Sequence, residues 1–385
     1  MFNLHHHLRL SFNKELKEIY ISIMIRSLAI AMLAIFIPIY LFKDLNYSIQ
    51  NILYFYILLF LIITIVCPLA AKLASKIGFK HNMLLSTFFF ISAFLLLHSL
   101  KTNQEIFFFI PIVFGIGNAL YWNSFHIDMA KYSQKKHRGE QMATWQVLAG
   151  ISAIIGPLAA GLILKFYSFS ILFIVGSFIF LLSVIPLFFS RDQHIKSKFS
   201  YKYILKKEHF KEGLTFAVTG AKQAVLTIFW PLFIYLIILD YLKFGSVMTI
   251  IGVSALISYG VIGKLSDIKK SEMMIRFGAI IHLIISFYMG FVKTIVQIIG
   301  TAIFVTFGIY LTDLNTTKKA YETAKKSSNL ASYIVFREVV LNIGRAILVL
   351  IFLILVSIPL SIQTSFIIIF IISGLSGLIH ILKQK

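Results

Sequence analysis

The sequence predicts an all-α polytopic membrane protein, with about twelve transmembrane helices in two six-helix repeats. Three observations carry that prediction. The chain is 59% hydrophobic and only 13% charged, with a mean hydropathy of +0.89, where an ordinary soluble domain is about 25% charged. Many uncharged runs reach the roughly 20 residues needed to cross a bilayer. They are continuous rather than alternating, which selects helices over lipid-facing barrel strands. Finally, landmarks recur at half the chain length.

Taken in order, the spans fall at 19–42, 51–71, 82–100, 106–127, 141–164, 168–190, 213–239, 244–263, 273–292, 294–313, 331–357 and 362–382. No cleavable leader is expected, because about 18 mixed polar residues precede the first long run without a small-residue cleavage pattern. The one cysteine, Cys67, lies inside an apolar run, so no intramolecular disulfide can form. A net charge of +21 would suggest nucleic acid in a soluble protein; here its distribution excludes that reading. With the N-terminus inside, the inner segments hold 26 of the 36 Lys and Arg residues and the outer loops five, the other five lying in spans. That bias places both termini in the cytoplasm and requires an even number of spans. In a prokaryote the membrane would be the inner one.

The repeat rests on four landmarks. Lys72-Leu73 returns as Lys264-Leu265 after 192 residues, and Lys17-Glu18 as Lys211-Glu212 after 194. Pro38 and Pro231, and Gly115 and Gly308 (each in a Phe-Gly-Ile triplet), are 193 apart. Between the repeats lies a basic, polar connection. The expected organisation is therefore an N-terminal half (1–190), a cytoplasmic linker (191–212) attracted to anionic lipid heads, and a C-terminal half (213–385). Parallel repeats of this kind are a transporter architecture. Because both halves lie in one chain, a monomer is expected to function.

The loop between the eighth and ninth spans reads Gly263-Lys-Leu-Ser-Asp267-Ile-Lys-Lys270, and a weaker copy, with Leu73, Lys76, Gly78 and Lys80, joins the second and third. The fifth span contains Gly150, Gly156, Pro157 and Gly161, with Arg138-Gly139 ahead of it. On these motifs, the span count and the repeat, the chain resembles the major facilitator superfamily. The resemblance implies a secondary transporter with a central cavity lined by the first, fourth, seventh and tenth helices. It also implies gating loops at Gly263, Asp267, Lys270, Lys76, Gly78 and Lys80, and an antiporter-like segment in the fifth helix. The first loop departs from the pattern, with Ala71 for the leading Gly and Ser75 for the Asp. Each motif also has a plainer reading: a solvated basic turn for the loops, and close helix packing for the glycines.

Ionisable residues inside spans are functional candidates because burying charge in hydrocarbon is costly. Arg26 and Lys222 lie at similar depths in equivalent helices, roughly 10–14 Å in. The resemblance implies that they face each other across the pathway and bind an anion such as a phosphate or carboxylate, as in the organophosphate:phosphate antiporter branch. Snorkelling to the cytoplasmic headgroups is the alternative. Glu338, Asn342 and Arg345 follow i, i+4, i+7 spacing and form one stripe, which either binds substrate or a coupling ion or joins the helix to the inner loops. Asn118, Trp122 and His126 form a second stripe, facing the cavity or anchoring the interface. His5-His6-His7 lacks preformed metal geometry, and no metal or cofactor is expected. There is no P-loop, which leaves coupling to a proton, sodium or a counter-substrate. The leading expectation is an alternating-access exporter or antiporter of a small anionic or organic solute. Its rivals are a lipid or lipid-precursor flippase on the same fold, and a membrane-embedded lipid-modifying enzyme, which would need a nucleophile or metal motif that the sequence lacks.

Overall fold

A computed structural model of the chain describes residues 14–132, 138–189, 209–327 and 329–382. His5–His7 and most of the linker lie outside these. Among the described residues twelve helices are long and apolar enough to span a bilayer: α1 (Lys17–Asp44), α2 (Ile49–Ile77), α3 (Phe79–Ser99), α4 (Gln104–Lys131), α5 (Thr144–Phe166), α6 (Phe169–Phe188), α7 (Phe210–Ile238), α8 (Tyr241–Gly263), α9 (Ser271–Met289), α10 (Ile295–Lys326), α11 (Leu330–Ser357) and α12 (Ile362–His380). The chain is an integral, multi-pass membrane protein.

Polar residues mark several helix starts. Ser48 accepts from the Asn51 amide ahead of α2, Asp240 from the Lys243 amide ahead of α8, and Ser361 from the Thr364 amide ahead of α12. Thr294 and Gln297 form a reciprocal capping box at α10. Only one residue separates α2 from α3. It is Gly78, at φ 98°, a conformation that favours glycine.

The two prolines of the repeat sit beside matching irregularities. In α1, Pro38 lies between a break at 34–36 and a π segment over Tyr40–Asp44. In α7, Pro231 follows a π segment over Val225–Phe229. A proline withholds one backbone donor, and the wider turn beside it absorbs the register change.

The largest departure from the sequence expectation is α10. Its apolar run ends near residue 313, but the helix continues to Lys326. The extension is buried all round at Leu314, Asn315, Thr316 and Thr317, and then on one side, at Ala320, Tyr321 and Ala324. Hydropathy detects lipid-facing length and is insensitive to a helix buried against protein.

The first six helices (the N set) and the last six (the C set) pack by matching rules. In the N set α1 packs on α5 and α6, α2 on α4, and α3 on α4 and α6. In the C set α7 packs on α11, α8 on α10, and α9 on α10 and α12. The sets meet mainly along two seams, α5 against α8 and α2 against α11.

The α5–α8 seam is closed by backbone contact. A side chain on Gly161 would meet the Tyr241 carbonyl at 2.9 Å, and one on Gly252 the Ala153 carbonyl at 2.7 Å. Across the same seam Thr249 Oγ1 donates to the Ile154 carbonyl at 2.8 Å. Missing side chains of this kind are what let two membrane helices approach closely.

Candidate functional site

Between the two sets lies a cavity of about 400 Å³. Its N-set wall comes from α1 to α5 and is mostly aromatic and aliphatic, including Tyr56, Phe60, Phe90, Phe94, Phe114, Trp122 and Trp145. Its C-set wall carries Gln223 and Thr227 of α7, Asp313 and Thr317 of α10, and Arg337, Glu338, Asn342 and Arg345 of α11.

The polar groups form one connected network. Arg345 donates from Nη1 to Asn342 Oδ1 at 2.8 Å and from Nη2 to Gln223 Oε1 at 2.5 Å. Gln223 Nε2 in turn donates to Asp313 Oδ1 at 3.0 Å. Arg337 pairs with Glu338 and donates to Thr317 Oγ1 at 3.0 Å. Among the described residues Arg345 has no carboxylate partner within ion-pair distance. Its guanidinium instead lies 5.8 Å from the centre of the Phe60 ring, across the α2–α11 seam.

Both predicted stripes line the cavity. Glu338, Asn342 and Arg345 face it from α11, and Asn118, Trp122 and His126 from α4. Trp122 and His126 stack with ring centres 5.5 Å apart. His126 also reaches the C set, with Nδ1 2.5 Å from the Tyr321 hydroxyl and Nε2 3.6 Å from Glu338 Oε1. That contact closes the end of the bundle at which α4 finishes. At the opposite end Tyr241 donates to Asp44 Oδ2 at 2.5 Å, and Phe36 packs edge-on to Phe244 with centres 5.3 Å apart. The cavity is therefore bounded at both ends by contacts between the sets.

Arg26 and Lys222 require a correction: neither lines the central cavity. Each points into the interior of its own set. Arg26 is enclosed by aromatic rings, with its guanidinium carbon 3.5 Å from the centre of Tyr121, 4.2 Å from Phe180 and 4.5 Å from Phe90. Its Nη1 donates to Thr87 Oγ1 at 3.2 Å. Lys222 is buried where α12 comes close, so that a side chain on Gly377 would meet its Nζ at 3.1 Å. That Nζ has no hydrogen-bond partner among the described residues. His282 of α9 lies within its electrostatic reach. Neither residue snorkels, since both are 1% exposed.

Sequence reasoning passed over Gln223, the residue that ties α7 to both α10 and α11. Its signal was adjacency: one residue further along α7 turns the side chain about 100°, from the interior of the C set to the cavity.

Comparison with known proteins fits this arrangement. A family model described as Major Facilitator Superfamily matches residues 19–317. The chain belongs to this superfamily. It is 23% identical over 349 residues to the uncharacterized protein YqgE of Bacillus subtilis (strain 168), covering 86% of this chain and 80% of that protein. Its fold is similar to that of the human organic anion transporter MFSD10 (TETRAN), with a TM-score of 0.72, 10% identity, and coverage of 96% of this chain and 99% of that one. It is also similar to the superfamily transporter FucP in the outward conformation, with a TM-score of 0.67, 14% identity, and coverage of 96% and 98%.

The superfamily loops can now be placed. In the first, Lys76 is exposed, and Lys80 is buried and donates to Glu18 Oε2 at 2.6 Å, tying α3 to α1. The anion missing at Ser75 is thus supplied from α1, within the N set. Ser75 itself donates to the Lys72 carbonyl. In the second, Gly263 is buried within a helix that runs on to Ile268, and Lys270 is exposed at the start of α9. The side chain of Asp267 lies outside those described. The end of α10 holds this loop, through Lys318 Nζ donating to the Ser266 carbonyl at 2.7 Å and Lys319 Nζ to Glu272 Oε1 at 2.8 Å.

The superfamily segment in α5 divides its labour. Gly150 and Gly161 face α8, whereas Gly156 faces α1, where a side chain would meet Ala31 at 2.6 Å. The Pro157 carbonyl lies against Gly245 of α8.

Proposed function

We propose that the chain is a secondary active transporter that exports or exchanges an organic solute carrying an anionic group, by alternating access. The observation that carries this reading is Arg345. It is a guanidinium on the cavity wall of a membrane protein, held by two neutral amides and by no carboxylate partner among the described residues. A charge kept at such cost in a membrane marks a substrate or ion site, and a guanidinium presents a planar fork suited to oxyanions. The similarity in fold to MFSD10, an organic anion transporter, agrees with it.

Alternating access is supported by the two closures, Tyr241 to Asp44 at one end and His126 to Tyr321 at the other. Each joins the N set to the C set, so opening either end alone exposes the cavity to one side. The distribution of Lys and Arg supports a cytoplasmic position for the His126 end and both termini. Glu338, between Arg337 and His126, is the proposed coupling group, with a proton as the coupling ion.

Reconstitution in proteoliposomes tests the reading. Arg345→Gln is expected to lower organic-anion flux on the order of 100-fold, the loss typical when one partner of a desolvated charged contact is removed, while the protein keeps its melting behaviour. Arg345→Lys should retain part of the flux. Wild-type flux in Arg345→Gln would sink the proposal. Flux by Glu338→Gln that still follows an imposed pH gradient would remove Glu338 as the coupling group.

A further inference from the structure

The two walls of the cavity differ in kind. All four formally charged side chains that line it, Asp313, Arg337, Glu338 and Arg345, belong to α10 and α11. Seven of the eight Phe, Tyr and Trp rings that line it belong to the N set. A small hydrated anion held on the polar wall would leave the aromatic wall without an apolar partner. A purely apolar solute would leave the charged wall unserved. A solute with one charged end and one apolar end satisfies both walls.

Gln223 sharpens the point. Its amide lies between Asp313 and Arg345, donating to one and accepting from the other. A neutral group thereby keeps a carboxylate and a guanidinium apart on the wall. The oxygen that Arg345 now holds comes from an amide, and an oxyanion is the stronger acceptor for the same donor. Arg345 also lies over Phe60 of the opposite wall, so the place where a head group binds is continuous with the place where an apolar body packs.

We propose that the transported solute is an amphipathic organic anion, whose oxyanion head displaces the Gln223 oxygen from Arg345 and whose apolar body lies against the aromatic wall of the N set. Gln223 is then a specificity-determining residue. The proposal rests on the anion-transport reading above and adds the second, apolar requirement and the orientation. A cavity of about 400 Å³ falls in the range that encloses a drug-sized molecule, roughly 300–1,000 Å³, and greatly exceeds what an inorganic anion fills.

Binding to the full chain in lipid nanodiscs tests it. Two of the chain's three tryptophans, Trp122 and Trp145, line the cavity and report occupancy by fluorescence. The probes are inorganic phosphate, acetate, octanoate, 4-phenylbutyrate and the neutral 4-phenylbutyramide, and Arg345→Gln nanodiscs correct for partition into lipid. Octanoate or 4-phenylbutyrate is expected to bind at least about tenfold more tightly than acetate or phosphate, as apolar burial requires. It should also bind more tightly than the neutral amide. Gln223→Glu places a tethered carboxylate beside Arg345 and should weaken 4-phenylbutyrate about tenfold while leaving the amide unchanged. Acetate or phosphate binding as tightly as the longer acids would overturn the amphipathic inference and leave the anion reading standing. Equal binding of amide and acid would overturn both readings, as would failure of every anion to bind. Unchanged acid binding in Gln223→Glu would remove Gln223 from the proposal.

Discussion

The two six-helix sets use one helical plan and fill it with different chemistry. At similar depths of α1 and α7 stand Arg26 and Lys222, both buried within their own set. Arg26 is covered by three ring faces and gives one hydrogen bond, to a threonine hydroxyl, while its Nε and Nη2 have no hydrogen-bond partner among the described residues. Lys222 has no hydrogen-bond partner among the described residues and abuts the backbone of α12. The loops differ likewise. The first is pinned by a buried pair, Lys80 with Glu18, whose side chains are each 6% exposed, and the second by Lys319 with Glu272, which are 42% and 57% exposed. The repeat therefore conserves where a helix goes and leaves open what its side chains do. Here the N set gives the cavity its aromatic wall, and the C set carries the polar network.

The largest expected effect contrasts the two loops. Lys80→Met removes the ammonium that Glu18 accepts from in a buried setting and should cost of order 3 kcal/mol of stability. Lys319→Met removes a solvated partner and should leave thermal unfolding unchanged within error. Equal losses in the two variants would break the contrast. A Glu18→Gln, Lys80→Met double variant should recover much of the loss, because no carboxylate then lacks its lysine.

The next contrast lies inside the sets. Arg26→Met gives up its ring contacts and a charge-assisted hydrogen bond, at about 2 kcal/mol. Lys222→Met gives up no hydrogen bond and removes a costly amine from the membrane interior, so its melting temperature should hold or rise. A lower melting temperature for Lys222→Met than for Arg26→Met would reverse this assignment. The smallest effect concerns the two closures. Tyr321→Phe, at a buried imidazole, and Tyr241→Phe, at the more exposed Asp44, should each cost roughly 1 kcal/mol, the first more than the second. Spin-label distances across each end should shift towards the open form at the end that was weakened, and a shift at the other end would contradict their roles.

Much of this was legible in the sequence. The apolar runs reported twelve spans because lipid imposes length directly. The stripes of α4 and α11 were legible because spacing along a helix fixes a shared face whatever the neighbours are. The direction of that face is another matter. Arg26 and Lys222 show that position along a helix can be counted from sequence, while the side of the helix that meets the cavity depends on where partner helices lie. Gln223 was missed for the same reason. The last third of α10 was missed because protein, rather than lipid, buries it.

The α5–α8 seam has a mechanical consequence. From Ala153 to Gly161 the two helices touch through backbone over a line roughly 12 Å long, and Thr249 fastens it near the Ala153 end. Backbone cannot change rotamer, so this contact would resist sliding more than rolling. The α2–α11 seam is made of side chains, with Arg345 over Phe60 and Gln50 donating to the Val356 carbonyl at 3.2 Å, and side chains can be exchanged one for another. Under the alternating access proposed above, the first flank would serve as a bearing and the second as a meshing face, with Arg345 of the polar network on the meshing side.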